Sequence, residues 1–157
     1  MKSIVLARID DRLIHGQVVT AWTKFVGANT IIIVDNELSK NKLMQRIYIA
    51  AAPSGIDLRI LTFEEALAYL KERDNQAKVM ILAKNPHIFE DLINAGVAIE
   101  SINFGGMGST AKRTRLIRNA HADEEERACF KRLIDQGIPV YFQIVPDEKS
   151  TDVQRIL

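Results

Sequence analysis

Arg8, Asp10, Asp11, Arg12, His15, Gly16 and Gln17 place two guanidinium groups, two carboxylates, an imidazole and a glycine in one short run, directly after the apolar segment Ile4-Val5-Leu6-Ala7. A helical pattern follows, so the run falls at a strand-to-helix turn, where parallel α/β proteins keep their active sites. An imidazole with an ordinary pKa near ~6.5 keeps a nucleophilic nitrogen at neutral pH, and it can accept a phosphoryl group and surrender it again. A transferring phosphoryl group spreads negative charge over its equatorial oxygens, so its catalysis is mostly positioning and electrostatic stabilisation. In that chemistry His15 is the candidate nucleophile, and Arg12 and Arg8 are candidate bidentate donors. The backbone N–H groups of Gly16, Gln17 and Val18 would add the field of a helix N-terminus. Asp10 is the candidate orienting group for an arginine or for the imidazole, and Asp11 is expected to face solvent.

The same residues admit a plainer reading, a loop histidine bonded to a carboxylate with Arg8 and Arg12 in structural ion pairs. Residue chemistry alone leaves both open. The other histidines lack such company: His87 follows Pro86 at a helix start, His121 precedes an acidic cap, and both are expected to be structural. Three histidines and one cysteine without H-x-x-x-H spacing predict no metal site. Gly105-Gly106-Met107-Gly108-Ser109-Thr110 lacks the G-K-[ST] ending of a P-loop and the full dinucleotide spacing, so no nucleotide cofactor is expected. Phe104, Gly105 and Gly106 are instead read as a loop walling the site and open to substrate or partner, with glycines allowing close backbone approach to an anion. The basic cluster Lys112, Arg113, Arg115 and Arg118 is read by default as a solvated face.

The elements that must position these groups alternate along the chain. Short apolar, β-branched runs at 3–9, 30–35, 57–61, 78–83, 100–104 and 139–145 read as strands buried on both faces, and amphipathic segments lie between them. Helices are expected over 17–25, 40–51, 86–95, and after two capping boxes, Thr62 with Glu65 and Asp123 with Glu126. Gly96 and Gly137 fit left-handed helix stops, and Ser150 is expected to cap a short last helix. Arg115-Leu116-Ile117-Arg118 reads as an edge strand, possible in antiparallel orientation. The pattern predicts one α/β domain with a mostly parallel sheet. In such a sheet the loops Asp10 to Gly16, Asp35 to Glu37, Lys84 to Pro86 and Phe104 to Ser109 share one edge.

Bulk composition excludes several classes. A chain of 157 residues suits one domain, and 21 Lys+Arg against 20 Asp+Glu give no general pull toward nucleic acid or anionic lipid. The single Cys129 cannot form an internal disulfide and is expected to be a buried small hydrophobe in a reducing compartment. No apolar run approaches the ~20 residues of a membrane span and no signal-peptide pattern opens the chain, which predicts a cytosolic protein without a transmembrane segment.

The stretch from Ile4 to Val18 resembles the signature of the IIB component of the bacterial sugar phosphotransferase system, in its mannose/fructose/sorbose family. The likeness continues through Ala52-Pro53-Ser54-Gly55, Asn85-Pro86, Ala95-Gly96-Val97, Asn103-Phe104-Gly105-Gly106-Met107 and Gly137. It spans essentially residues 1–157 as one IIB domain and implies a mostly parallel seven-stranded sheet with helices on both faces. It also implies that His15 receives a phosphoryl group from the IIA component, carries it on Nδ1, and passes it to a sugar arriving through the membrane components IIC and IID, so that the carrier associates transiently with the membrane. Arg12 and Asp10 map onto the loop around that histidine. Where many mannose- and fructose-type relatives carry an Arg-Lys pair, this chain has Met44-Gln45-Arg46, so a basic contact there is missing or shifted to Arg46. With Val26-Gly27-Ala28-Asn29, this leans toward the N-acetylgalactosamine branch. Two rivals remain: a histidine phosphatase, whose R-H-G motif would need arginine where Ile14 stands, and a noncatalytic anion-binding module.

Overall fold

Ile31 and Ile33 turn to one side of their strand and Ile32 and Val34 to the other, and all four are buried, because both faces of the central sheet are covered. The computed structural model describes residues 1–157. Its main sheet is built from β1 (Ser3–Asp10), β2 (Thr30–Val34), β3 (Asp57–Leu61), β4 (Lys78–Ala83), β5 (Ile102–Gly106), β8 (Val140–Phe142) and β9 (Thr151–Asp152). The order is β3-β2-β4-β1-β5-β8-β9; every pair is parallel except β8 with β9. Helices α1 (Val18–Val26) and α2 (Lys42–Ala51) cover one face, over a core that includes Leu6, Leu13, Trp22, Ile31 and Met80. On the other face α3 (Phe63–Lys71), α4 (Pro86–Asn94) and α5 (Glu124–Asp135) enclose the larger core around Ile9, Ile81, Phe89, Phe104 and Phe130.

Both expected capping boxes form. Thr62 and Asp123 each accept the backbone N–H of their partner glutamate, and Glu65 and Glu126 reach back to the cap. Gly96 and Gly137 adopt the left-handed conformation expected of helix stops. The expected helix over 40–51 is interrupted instead: Asn41 is extended and its side chain accepts from Met44 N–H, so a short 3-10 turn (Leu38–Lys40) precedes α2. The last turn, Val153–Arg155, is capped by Asp152 rather than Ser150. Arg115 to Ile117 lie on β6 (Thr114–Ile117), which pairs antiparallel with β7 (Ala120–Ala122) as a separate hairpin and not on the edge of the main sheet.

The strand order places the site. From β1 the chain crosses toward β2, and from β5 it crosses toward β8, on the opposite side. Loops leaving these neighbouring strands therefore part, which opens a crevice at their carboxyl ends.

Candidate functional site

Beyond β1 the chain makes a tight turn, with Leu13 N–H bonded to Asp10 C=O at 2.9 Å. Leu13 and Ile14 are both buried in the α1-side core, and Leu13 holds a left-handed backbone (φ 58) that a leucine rarely adopts. Such strain costs on the order of 1 kcal/mol and persists only where the surroundings impose it. Its result is that His15 stands at the rim of the crevice, with 21% of its side chain exposed.

Asp10 is the hub. Its side chain is fully buried; Oδ2 lies 2.9 Å from His15 Nε2 and accepts from Arg8 Nη2 at 3.1 Å, while Oδ1 accepts from the Arg12 backbone N–H at 3.1 Å and from Arg12 Nε at 3.3 Å. Burial pushes the Asp10 carboxyl upward, but the His15 hydrogen bond, the Arg8 charge and the Arg12 N–H outweigh it and hold the group below its ordinary value. An ionised carboxylate only accepts, so the proton of a neutral His15 sits on Nε2. Nδ1 is left with its lone pair and makes no hydrogen bond within the protein.

The Arg12 side chain is 48% exposed, and only its Nε is engaged, on Asp10 Oδ1. Gly16 turns through φ 49, and Gln17 stands at the N-cap of α1 without a side-chain cap or an acidic residue in the first turn. The N–H groups that begin this helix are thus left without a side-chain cap, unlike those of α2, α3, α4 and α5.

Four expectations are corrected. Arg8 is not a surface donor: it is fully buried, with Nη1 on Asn103 Oδ1 and the Gln143 carbonyl, Nη2 on Asp10, and its guanidinium over the Trp22 ring. Phe104, Gly105 and Gly106 are not a loop but buried residues of β5. Phe104 fills the core, and Gly105 lies against the Arg8 guanidinium, which a Cβ would overlap. Asp11 does not simply face solvent; its Oδ2 accepts from Gly108 N–H at 2.7 Å and from Arg113 Nη1 at 3.2 Å. Arg113 in turn forks the nearly buried Glu126 at 2.9 and 2.8 Å, which removes it from the solvated basic face. The bonds of Asn103 to Arg8 and of Arg113 to Asp11 and Glu126 are what the sequence did not disclose. A lone asparagine between the strand apolars Ile102 and Phe104 was the available signal for the first.

His121 Nδ1 lies near the carbonyls of Met107 and Asn119. His87 comes together with Glu90 and Cys129, ligand atoms within 4.8 Å of one another, a grouping not foreseen from spacing. Both Glu90 oxygens accept from Arg132, at 2.8 and 2.9 Å, and burial first, then Glu90, pushes the fully buried Cys129 thiol up to about 12. Arg46 is exposed on α2, while Met44 packs against the α1-side core.

Fold and site together define a parallel α/β protein with a carboxylate-oriented histidine and an uncapped helix N-terminus at the sheet's switch point. The chain belongs to the family described as the phosphotransferase system (PTS) sorbose subfamily IIB component, whose model matches residues 4–157. It is 35% identical over 151 residues to the sorbose-specific EIIB component of Lacticaseibacillus casei, covering 96% of this chain and 92% of that one. It is 33% identical to the fructose-specific EIIB component of Bacillus subtilis, covering 100% and 97% of the two chains. A mannose-specific EIIAB component of Escherichia coli is 36% identical over 136 residues, covering 86% of this chain and 42% of that one. The crystal structure of the IIB domain of the sorbose permease from Klebsiella pneumoniae superposes with a TM-score of 0.94 at 30% identity, covering 98% and 94%. As a IIB component the protein is a sugar phosphotransferase: it accepts a phosphoryl group from a IIA component and passes it to a sugar. The histidine-phosphatase and noncatalytic readings find no support among these relatives.

Proposed function

We propose that His15 carries the phosphoryl group on Nδ1, and that residues 1–157 act as one IIB domain. The observation that supports this is the 2.9 Å contact between His15 Nε2 and Asp10 Oδ2, which leaves Nδ1 as the free nucleophile. As Nδ1 attacks, the N–P bond of the donor's phosphohistidine breaks and a new one forms on His15. The phosphorylated ring, still protonated at Nε2, is a cation held by the buried Asp10 carboxylate. Arg12 stabilises the transferred charge with its terminal nitrogens, and the N–H groups of Gly16, Gln17 and Val18 receive phosphate oxygens. Arg8 serves from below by holding Asp10. In the second transfer a sugar hydroxyl takes the phosphoryl group, loses its proton to water, and returns His15 to its neutral form.

The partners in this reading are a IIA phosphocarrier, the membrane components IIC and IID, and the sugar. The E. coli relative whose name joins A and B components supports the IIA partner. No helix is long and apolar enough to cross a membrane, which fits a carrier that works in the cytoplasm and meets the membrane only through IIC and IID. Incubation with phosphorylated IIA is expected to give an acid-labile, base-stable label on the native chain and none on His15→Ala. Undiminished labelling of that variant would refute the assignment.

A further inference from the structure

Asn103 is fully buried in β5, directly opposite Arg8 of β1 in the parallel register. Its Oδ1 accepts from Arg8 Nη1, and its Nδ2 donates to the Gln143 carbonyl at 3.1 Å, the same carbonyl that takes Arg8 Nη1 at 3.1 Å. One amide thus ties the guanidinium to the end of β8. With Nη1 fixed from this side, Nη2 is directed at Asp10 Oδ2, the oxygen that also holds His15 Nε2. Arg8 Nε is the one buried side-chain nitrogen or oxygen without a hydrogen-bond partner, so the guanidinium is located by its two terminal nitrogens and by the Trp22 ring beneath it.

Stability alone does not account for this arrangement. Apolar replacement of a buried ion pair is often neutral or stabilising. What the buried polar chain does is end on the histidine.

We propose that Asn103 is a positioning residue for phosphoryl transfer: through Arg8 and Asp10 it fixes the orientation and the Nε2–H tautomer of His15, keeping Nδ1 unprotonated for attack. The proposal rests on the assignment of His15 as the acceptor. Its principal test does not: the ring-nitrogen NMR signals of His15 report the tautomer without any transfer.

The native chain is expected to show mainly the Nε2–H tautomer at neutral pH. Asn103→Ala is expected to mix the two tautomers and lower kcat for phosphoryl acceptance from phosphorylated IIA by about tenfold to a hundredfold, as a small misplacement of a reacting group does, with KM for that donor unchanged. Asn103→Ser, which keeps a hydroxyl near Arg8, gives a smaller change in the same direction and serves if the alanine variant does not fold. In the unsubstituted chain the Asn103 side-chain amide resonance is expected to move when His15 is phosphorylated. A folded Asn103 variant with lowered thermal stability but native tautomer and native kcat would show a purely structural role and overturn the proposal; so would an Asn103 amide signal that ignores phosphorylation. Labelling of His15→Ala would remove the acceptor assignment instead, with the tautomer measurement still deciding the place of Asn103.

Discussion

The buried Oδ2 of Asp10 is shared between Nε2 of His15, at 2.9 Å, and Nη2 of Arg8, at 3.1 Å. Replacing Asp10 by asparagine keeps the shape but removes the charge that selects the Nε2–H tautomer and that, on the proposed assignment of His15, steadies the phosphorylated ring. Single-turnover transfer from phosphorylated IIA is expected to fall on the order of 10²-fold or more, since orienting carboxylates in histidine catalysis carry effects of that size or larger. The same substitution alters acid stability. Because the folded Asp10 is held below the ordinary aspartate pKa near ~3.9, it stabilises the fold fully above that value, and the contribution is lost as pH falls through the lower folded value. Urea unfolding of Asp10→Asn between neutral pH and pH ~3 is therefore expected to depend less on pH than that of the native chain.

Gly105 offers a test of the layer beneath. A Cβ at this position would overlap Nη1, Nη2 and Cζ of Arg8, whose side chain is fully buried and held by Asn103, Gln143 and Asp10. Gly105→Ala is expected to destabilise by about 1–3 kcal/mol, the usual effect of overpacking, and to slow transfer by displacing Arg8 from Asp10. Equilibrium urea unfolding and a single-turnover assay on the same sample check both. A variant as stable and as fast as the native chain would show that Arg8 can move aside freely.

The parts of this site that were legible in the sequence are the local ones. His15 follows Asp10 closely in the chain, so a histidine–carboxylate pair could be read from the run itself, as could Arg12 and the start of α1. The capping boxes at Thr62 and Asp123 depend only on a residue and its third neighbour. By contrast, Arg8 looked like a phosphate donor because its burial is decided by Asn103 and Gln143, which arrive on β5 and just beyond β8. Gly105 looked like an anion loop for the same reason: what it accommodates is a side chain from another strand. Asp11 carried no local sign that Arg113 would reach it from beside the β6–β7 hairpin.

Arg113 joins the turn after β1 to the hairpin and α5. Its guanidinium bonds Asp11, the Gly108 carbonyl and both oxygens of Glu126, whose side chain is 5% exposed. Removing it strands a nearly buried carboxylate, and breaking one partner of a buried pair costs about 3–5 kcal/mol. Arg113→Ala is expected to lose stability toward that range in urea unfolding. Arg113→Lys should recover only part of the loss, because a single ammonium cannot replace a fork directed at Glu126 and a further donor to Asp11. Full recovery by lysine would mean that charge alone, rather than the planar fork, holds the turn to the hairpin.

Arg12 is expected to behave in the opposite way. It shares Asp10 with Arg8, yet its side chain is 48% exposed and its terminal nitrogens bond nothing within the protein. Asp10 keeps its bonds to Arg8, His15 and the Arg12 backbone N–H when the half-exposed Arg12 side chain is cut away, so Arg12→Ala should cost far less in urea unfolding than Arg113→Ala. The backbone N–H of Arg12 still reaches Asp10 Oδ1 in that variant, so the orientation of Asp10 and the His15 tautomer should persist. Transfer should nevertheless slow by about 10²–10³-fold, the loss seen when one preorganised donor to a developing anion is removed. Arg12→Lys should restore part of the rate, since a point charge replaces a bidentate donor incompletely. A single-turnover rate unaffected by Arg12→Ala would remove Arg12 from the proposed mechanism and leave the phosphate charge to the uncapped N-terminus of α1.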